Sequence, residues 1–181
     1  GAMTNAVFIP GLFCTQALYA PQVAALGGLD ISVGDHRQHE SMEKIASHIL
    51  DGAPETFVLA GLSMGGYISF EIMRQAPERV SALILMDTSA RPDAPEQTER
   101  RKGLVAKAKT EGIGPVIEDL APHFLAERHH DRADLRESVN RMAEETGVDA
   151  FVRQQTAIMN RPDSRPSLAA IFCPTLVIVG D

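Results

Sequence analysis

Short apolar runs at residues 6–9, 56–60, 82–86 and 175–179, with a weaker one at 30–33, do most to limit the folds open to this chain. Each is apolar along its length rather than alternating, which is the pattern of a strand covered on both faces. Between them, residues 16–26, 42–50 and 64–75 place apolar side chains at helical spacing. Buried strands alternating with helices of this length predict an α/β fold, a parallel sheet flanked by helices. Local signals sharpen the helix ends. Pro77 stops the helix that begins after Ser63, because a proline disfavours helical geometry in the residue before it. Ser41, followed by Met42 and Glu43, is expected to cap the helix over 42–50.

Residues 92–166 break the alternation. They are rich in charge, hold no strand-like run, and show amphipathic helical spacing at 98–110, 116–125, 133–146 and 150–159. Turn-rich stretches, "SARPDAPE" and "NRPDSRPS", frame them. The expected organisation is a core of residues 4–91 and 167–181, with 92–166 as a helical lid inserted over the carboxyl edge of the sheet. The basic cluster "ERRK" at 99–102 reads as a solvated helix face.

The segment "FVLAGLSMGGYISFEIM", residues 57–73, carries the chemistry. An apolar strand runs into Gly61-Leu62-Ser63-Met64-Gly65, and a helix follows. That is the G-x-S-x-G pattern in which a serine sits on a strained strand-to-helix turn with its oxygen presented outward. Gly61 and Gly65 lack Cβ atoms, so helix and neighbouring strand can close on the turn. The helix N-terminus directs its free N–H groups at the same place, which favours developing negative charge.

The first strand ends in "IPGLFC". With the serine motif, the stretch "APERVSALILMDTSARPD" and the stretch "PTLVIVGD", the chain from about residue 6 to 181 resembles the α/β-hydrolase superfamily. It is most similar to the small serine esterases, among them enol-lactonases and pimeloyl-ester esterases. The resemblance implies a carboxylic ester hydrolase with Ser63 as nucleophile and no cofactor or metal. In such enzymes a His-Gly-x turn after the first strand gives one backbone N–H to the oxyanion hole. Pro10-Gly11-Leu12 stands there in this chain, so Leu12 is the implied donor, with Met64 the second. Leu12, Phe13, Cys14 and Tyr67 are the expected substrate-lining residues.

The remaining members of a Ser-Asp-His set are harder to locate. Superfamily order runs Ser, then Asp or Glu, then His. Asp181 and Asp87 are both candidates for the acid, and the histidine base is expected beyond the end of this chain. His123, His129 and His130 are alternatives within the inserted helices, though a base there would break the family order. His36 and His39 read as polar-loop residues and His48 as a helix residue. The chain is accordingly expected to be C-terminally incomplete and inactive as it stands. An unpaired sheet edge would then favour a homodimer or a swapped oligomer.

Other readings stay open on the same residues. One is a cofactor-free lyase or C–C hydrolase using the same serine. Another is a non-catalytic ligand-binding module with a pocket but no triad. Composition narrows the partners. A formal charge of -7 with no basic stretch argues against nucleic acid, and no apolar run is long enough for a membrane span. Two cysteines, Cys14 and Cys173, cannot build a disulfide framework and point to a reducing, cytoplasmic setting. The partner that fits is a small or medium-sized acyl ester or lactone.

Overall fold

The computed structural model describes residues 3–14, 27–124 and 133–180. Five strands form one parallel sheet: β1 (Thr4–Ile9), β2 (Leu29–Val33), β3 (Phe57–Leu62), β4 (Val80–Met86) and β5 (Thr175–Ile178). Their order across the sheet is β2-β1-β3-β4-β5, all parallel. The chain therefore moves outward from β1 to β2, then returns past β1 to β3 and on. The reversal falls between β1 and β3, where an open α/β sheet presents a crevice beyond the carboxyl ends of its strands. Register aligns those ends. Ile9 pairs with Gly61, Leu62 with Met86, and Met86 with Ile178. The loops carrying Gly11, Ser63, Asp87 and Gly180 thus leave the sheet along one edge.

Helices α1 (Met42–Gly52) and α2 (Met64–Gln75) pack against one another beside the sheet. Ile45, Ala46, Ile49 and Leu50 of α1 and Ile68, Phe70 and Ile72 of α2 join Val7, Ile9, Phe57, Leu59 and Leu83 in the main core. Both local expectations hold. Ser41 caps α1, its side chain accepting the Lys44 N–H at 3.2 Å, and α2 ends at Gln75 just before Pro77. The helix expected over 16–26 falls outside the described residues.

Residues 92–166 supply α3 (Pro95–Glu111), α4 (Ile113–Phe124) and α5 (Ala133–Met159), the last broken at Gly147, where φ is 76°. Their apolar faces make a second core of Ala108, Val116, Ile117, Val139, Met142, Ala143 and Phe151. Phe13, from the turn after β1, enters that core and stacks on Phe151 with ring centroids 4.4 Å apart. A polar knot ties the segment down near its two ends. The Asp93 carboxylate, wholly buried, receives Arg101 at 3.2 Å and Arg161 at 3.0 Å. The Arg161 guanidinium in turn lies over the Tyr67 ring, 4.0 Å from its centroid. Arg101 departs from the solvated-face reading of "ERRK". It folds inward to Asp93 and to the Gln155 Oε1 at 2.9 Å, because a buried carboxylate is tolerated only with paired donors.

Cover on both faces is realised at the centre of the sheet but not at β5. All four of its residues are exposed, and Val177 and Val179 are 63% and 76% accessible. As the last strand in the order it pairs with β4 alone, and no described element lies across it. An apolar groove of about 350 Å³, lined by Phe70, Leu85, Leu168, Ile171 and Val177 among others, runs beside it. Among the described residues no helix is long and apolar enough to cross a membrane.

Candidate active site

Ser63 occupies the turn between β3 and α2 with φ 54° and ψ -111°. A non-glycine residue at positive φ is strained by about 1–3 kcal/mol and persists only when its surroundings over-determine it. Here they do. Ser63 N–H donates to the Met86 carbonyl at 2.9 Å, and Gly66 N–H donates to the Ser63 carbonyl at 2.9 Å. The Thr88 hydroxyl donates to the same carbonyl at 2.7 Å, the third hydrogen bond about this residue's backbone. Next to it the chain is too tight for side chains. A Cβ on Gly65 would overlap the Ile9 carbonyl, and one on Gly61 would overlap the Gly65 carbonyl. These contacts are the physical reason for the two glycines of the motif.

The strain has a consequence for the hydroxyl. An ordinary N-cap serine sits in extended geometry and accepts a helix N–H. Ser63 does not, and its side chain caps nothing. The half-buried hydroxyl is left available at the mouth of the elbow, beside the first N–H groups of α2, which lack intrahelical acceptors. Met64, the first residue of that helix, is itself buried.

The turn after β1 lies against this elbow. A Cβ on Gly11 would stand 3.5 Å from Ser63 Cβ and 3.4 Å from the Leu62 carbonyl. Leu12 and Phe13 follow at once, Phe13 with φ 63°. Gly11 thus lies against Ser63, with Leu12 next to it in the chain and Met64 the first residue of α2. Of the expected lining residues, Leu12 and Tyr67 are half-buried, whereas Phe13 and Cys14 are buried in the chain's own packing. Burial pushes the Cys14 thiol up to about 11, against the smaller opposing effect of its backbone hydrogen bond with Gly11. The thiol therefore stays protonated at neutral pH and is unreactive, because only the thiolate reacts.

Asp87 also has positive φ, 46°. Its exposed carboxylate accepts the Gly180 N–H at 2.6 Å, joining the exits of β4 and β5. Asp181 lies outside the described residues, as do His129 and His130; His123 belongs to α4. His39 and His48 pack edge to face, ring centroids 5.3 Å apart. His36 lies in the loop after β2, as expected, but its burial adds what the sequence did not show: it is 2% exposed, with Nε2 bonded to the Gly11 carbonyl at 2.8 Å. Nothing in the local sequence signals this, because the two residues are distant in the chain and meet only through the pairing of β1 with β2.

A scan of family models finds no match to the chain. Comparison with solved structures does. A thermophilic esterase from Thermogutta terrifontis superposes with a TM-score of 0.86 at 28% identity, over 99% of this chain and 72% of that one. The enol-lactonase from Burkholderia xenovorans LB400 gives 0.87 at 25% identity, over 99% and 74%. The chain belongs to the α/β-hydrolase superfamily. Among curated relatives, the pimeloyl-[acyl-carrier protein] methyl ester esterase of Vibrio campbellii is 28% identical over 167 residues, 91% of this chain. That of Vibrio parahaemolyticus is 26% identical over the same extent. The chain spans 59% of the length of each.

Proposed function

We propose that this α/β-hydrolase cleaves a small or medium-sized carboxylic ester or lactone through an acyl-enzyme on Ser63. The observation that carries the reading is the strained serine whose hydroxyl caps nothing, set against the Gly11 turn. In the reaction, Ser63 Oγ attacks the acyl carbon while its proton passes to a general base. The carbonyl oxygen becomes an oxyanion held by the backbone N–H groups of Leu12 and Met64. Collapse expels the alcohol, and water then releases the acid. An oxyanion donor of this kind contributes roughly 2.7–4 kcal/mol to the transition state.

The base in this proposal is a histidine outside the described residues. The described imidazoles are otherwise engaged, His36 by Gly11 and His39 with His48. The acid is Asp181 or Asp87. Asp87 stands on the correct edge of the sheet, but its carboxylate is already occupied by the Gly180 N–H. Residues 92–166 serve as the lid, with Phe151 seated on Phe13 beside the oxyanion turn. Leu12 and Tyr67, the half-buried pair of the expected lining residues, would suit a largely apolar acyl group.

The test is hydrolysis of p-nitrophenyl esters by the full-length protein and its Ser63→Ala variant. Turnover should fall by on the order of 10⁶-fold in the variant, with the melting temperature held or raised. Unchanged turnover would remove Ser63 from the mechanism.

A further inference from the structure

The Gly11 carbonyl accepts two hydrogen bonds. Cys14 N–H reaches it at 3.1 Å and closes the turn locally. His36 Nε2 reaches it at 2.8 Å from 25 residues along the chain. A carbonyl oxygen can only accept, so Nε2 carries the proton. Burial holds this imidazole below its ordinary range, outweighing the Gly11 bond that acts the other way. The ring is therefore neutral near pH 7, with the proton on Nε2 and Nδ1 bare.

What His36 grips is not an arbitrary carbonyl. The Gly11 C=O and the Leu12 N–H belong to one peptide group. That group is planar and trans, so oxygen and hydrogen point in opposite directions and turn together. Clamping the oxygen between Cys14 N–H and His36 Nε2–H fixes the direction of the Leu12 hydrogen. It also polarises the amide, since hydrogen bonds accepted at one end strengthen donation at the other. A glycine at position 11 would otherwise let this peptide swing easily.

We infer that His36 is a positioning residue for the oxyanion hole, its Nε2–H holding the Gly11–Leu12 peptide so that the Leu12 N–H is aimed at the developing oxyanion. This rests on the assignment of Ser63 and Leu12 made above. His36 is held from the lid side in turn. Gln154 Nε2 of α5 donates to the His36 carbonyl at 3.5 Å, and Arg153 Nε donates to the Arg37 carbonyl at 2.8 Å. The seat of α5 and the direction of the Leu12 N–H are therefore mechanically joined.

The experiment compares full-length wild type, His36→Phe and His36→Gln in ester hydrolysis, with Ser63→Ala as control. Phenylalanine keeps the bulk and loses the donor, whereas the glutamine amide can reach where Nε2 stands. His36→Phe should lower kcat by roughly 10- to 100-fold, less than the 10²–10³ of a deleted oxyanion donor, with KM within about two-fold. A boronic acid that mimics the tetrahedral intermediate should lose affinity in parallel. His36→Gln should recover most of both. Wild-type kcat in a folded His36→Phe would overturn the inference, as would equal losses in both variants tracking melting temperature alone. If Ser63→Ala retained turnover, the underlying assignment would fail instead, and the two failures are thereby distinct. Should His36→Phe not fold, ¹⁵N imidazole spectra of the wild type decide. A neutral ring protonated at Nε2 supports the clamp and a ring protonated at Nδ1 refutes it.

Discussion

Ser41 and Ser63 each stand one residue before a helix, and the sequence around each reads as a helix start. Ser41 sits at φ -130°, ψ 147° and spends its hydroxyl on the Lys44 N–H. Ser63 sits at φ 54°, ψ -111° and spends its hydroxyl on nothing. The first stabilises a helix. The second takes stability from its surroundings and, in the proposed reaction, would be the nucleophile. What separates them is the neighbourhood: extended backbone and open space around Ser41, and around Ser63 two glycines pressed on carbonyls, with three hydrogen bonds fixing its own peptide groups. Strain of this kind is stored where structure can sustain it.

The widest break in the comparison would come at Gly65. Alanine there must displace the Ile9 carbonyl, so we expect Gly65→Ala to cost about 3 kcal/mol, read from the urea midpoint, and to abolish turnover. A neutral result would mean that the elbow is loose and the strain at Ser63 incidental. Glycine at each serine gives a finer contrast of opposite sign. Ser63→Gly relieves the positive-φ strain and should stabilise by about 1 kcal/mol after the entropy cost of glycine. Ser41→Gly should destabilise by a few tenths and Ser41→Ala by about 1 kcal/mol, with kcat unchanged in both. Thermal unfolding reads all three.

The smallest effect concerns pH, which should touch the Ser63 side of the molecule and spare Ser41. His36 is held below its ordinary range by burial, against the Gly11 bond and Asp35 and with the help of Arg37. Below pH about 6.5 the unfolded chain takes up a proton that the folded imidazole refuses. Stability should therefore fall as the pH drops below that value and stop falling once the folded group titrates. His36→Gln should remove this part of the slope. Asp35 and Asp93 pull the same way only near and below pH about 4. Burial opposes their ionised forms, but hydrogen bonds from Arg37 and Gln38, and from Thr98, Arg101 and Arg161, hold both below the usual carboxylate range.

Much of this was legible in the residue order. The strands, the stop at Pro77, the Ser41 cap and the helical run of 92–166 follow from local propensity and spacing, which act within a few residues. The elbow was legible too, because Gly61, Ser63 and Gly65 lie within five positions of one another. What escaped was set by the meeting of distant segments. His36 is the loop residue it looked like, but its burial against Gly11 came only once β2 was laid beside β1. Arg101 looked solvated until Asp93 proved to be buried. The exposed edge at β5, by contrast, agrees with the unpaired sheet edge expected from the sequence.

The most direct test of the account is to treat the full-length protein with a fluorophosphonate and map the adduct by peptide mass spectrometry. The account predicts a single adduct, on Ser63, absent from Ser63→Ala and unaffected by Ser41→Ala. An adduct on any other residue, or labelling that persists without the Ser63 hydroxyl, would contradict it.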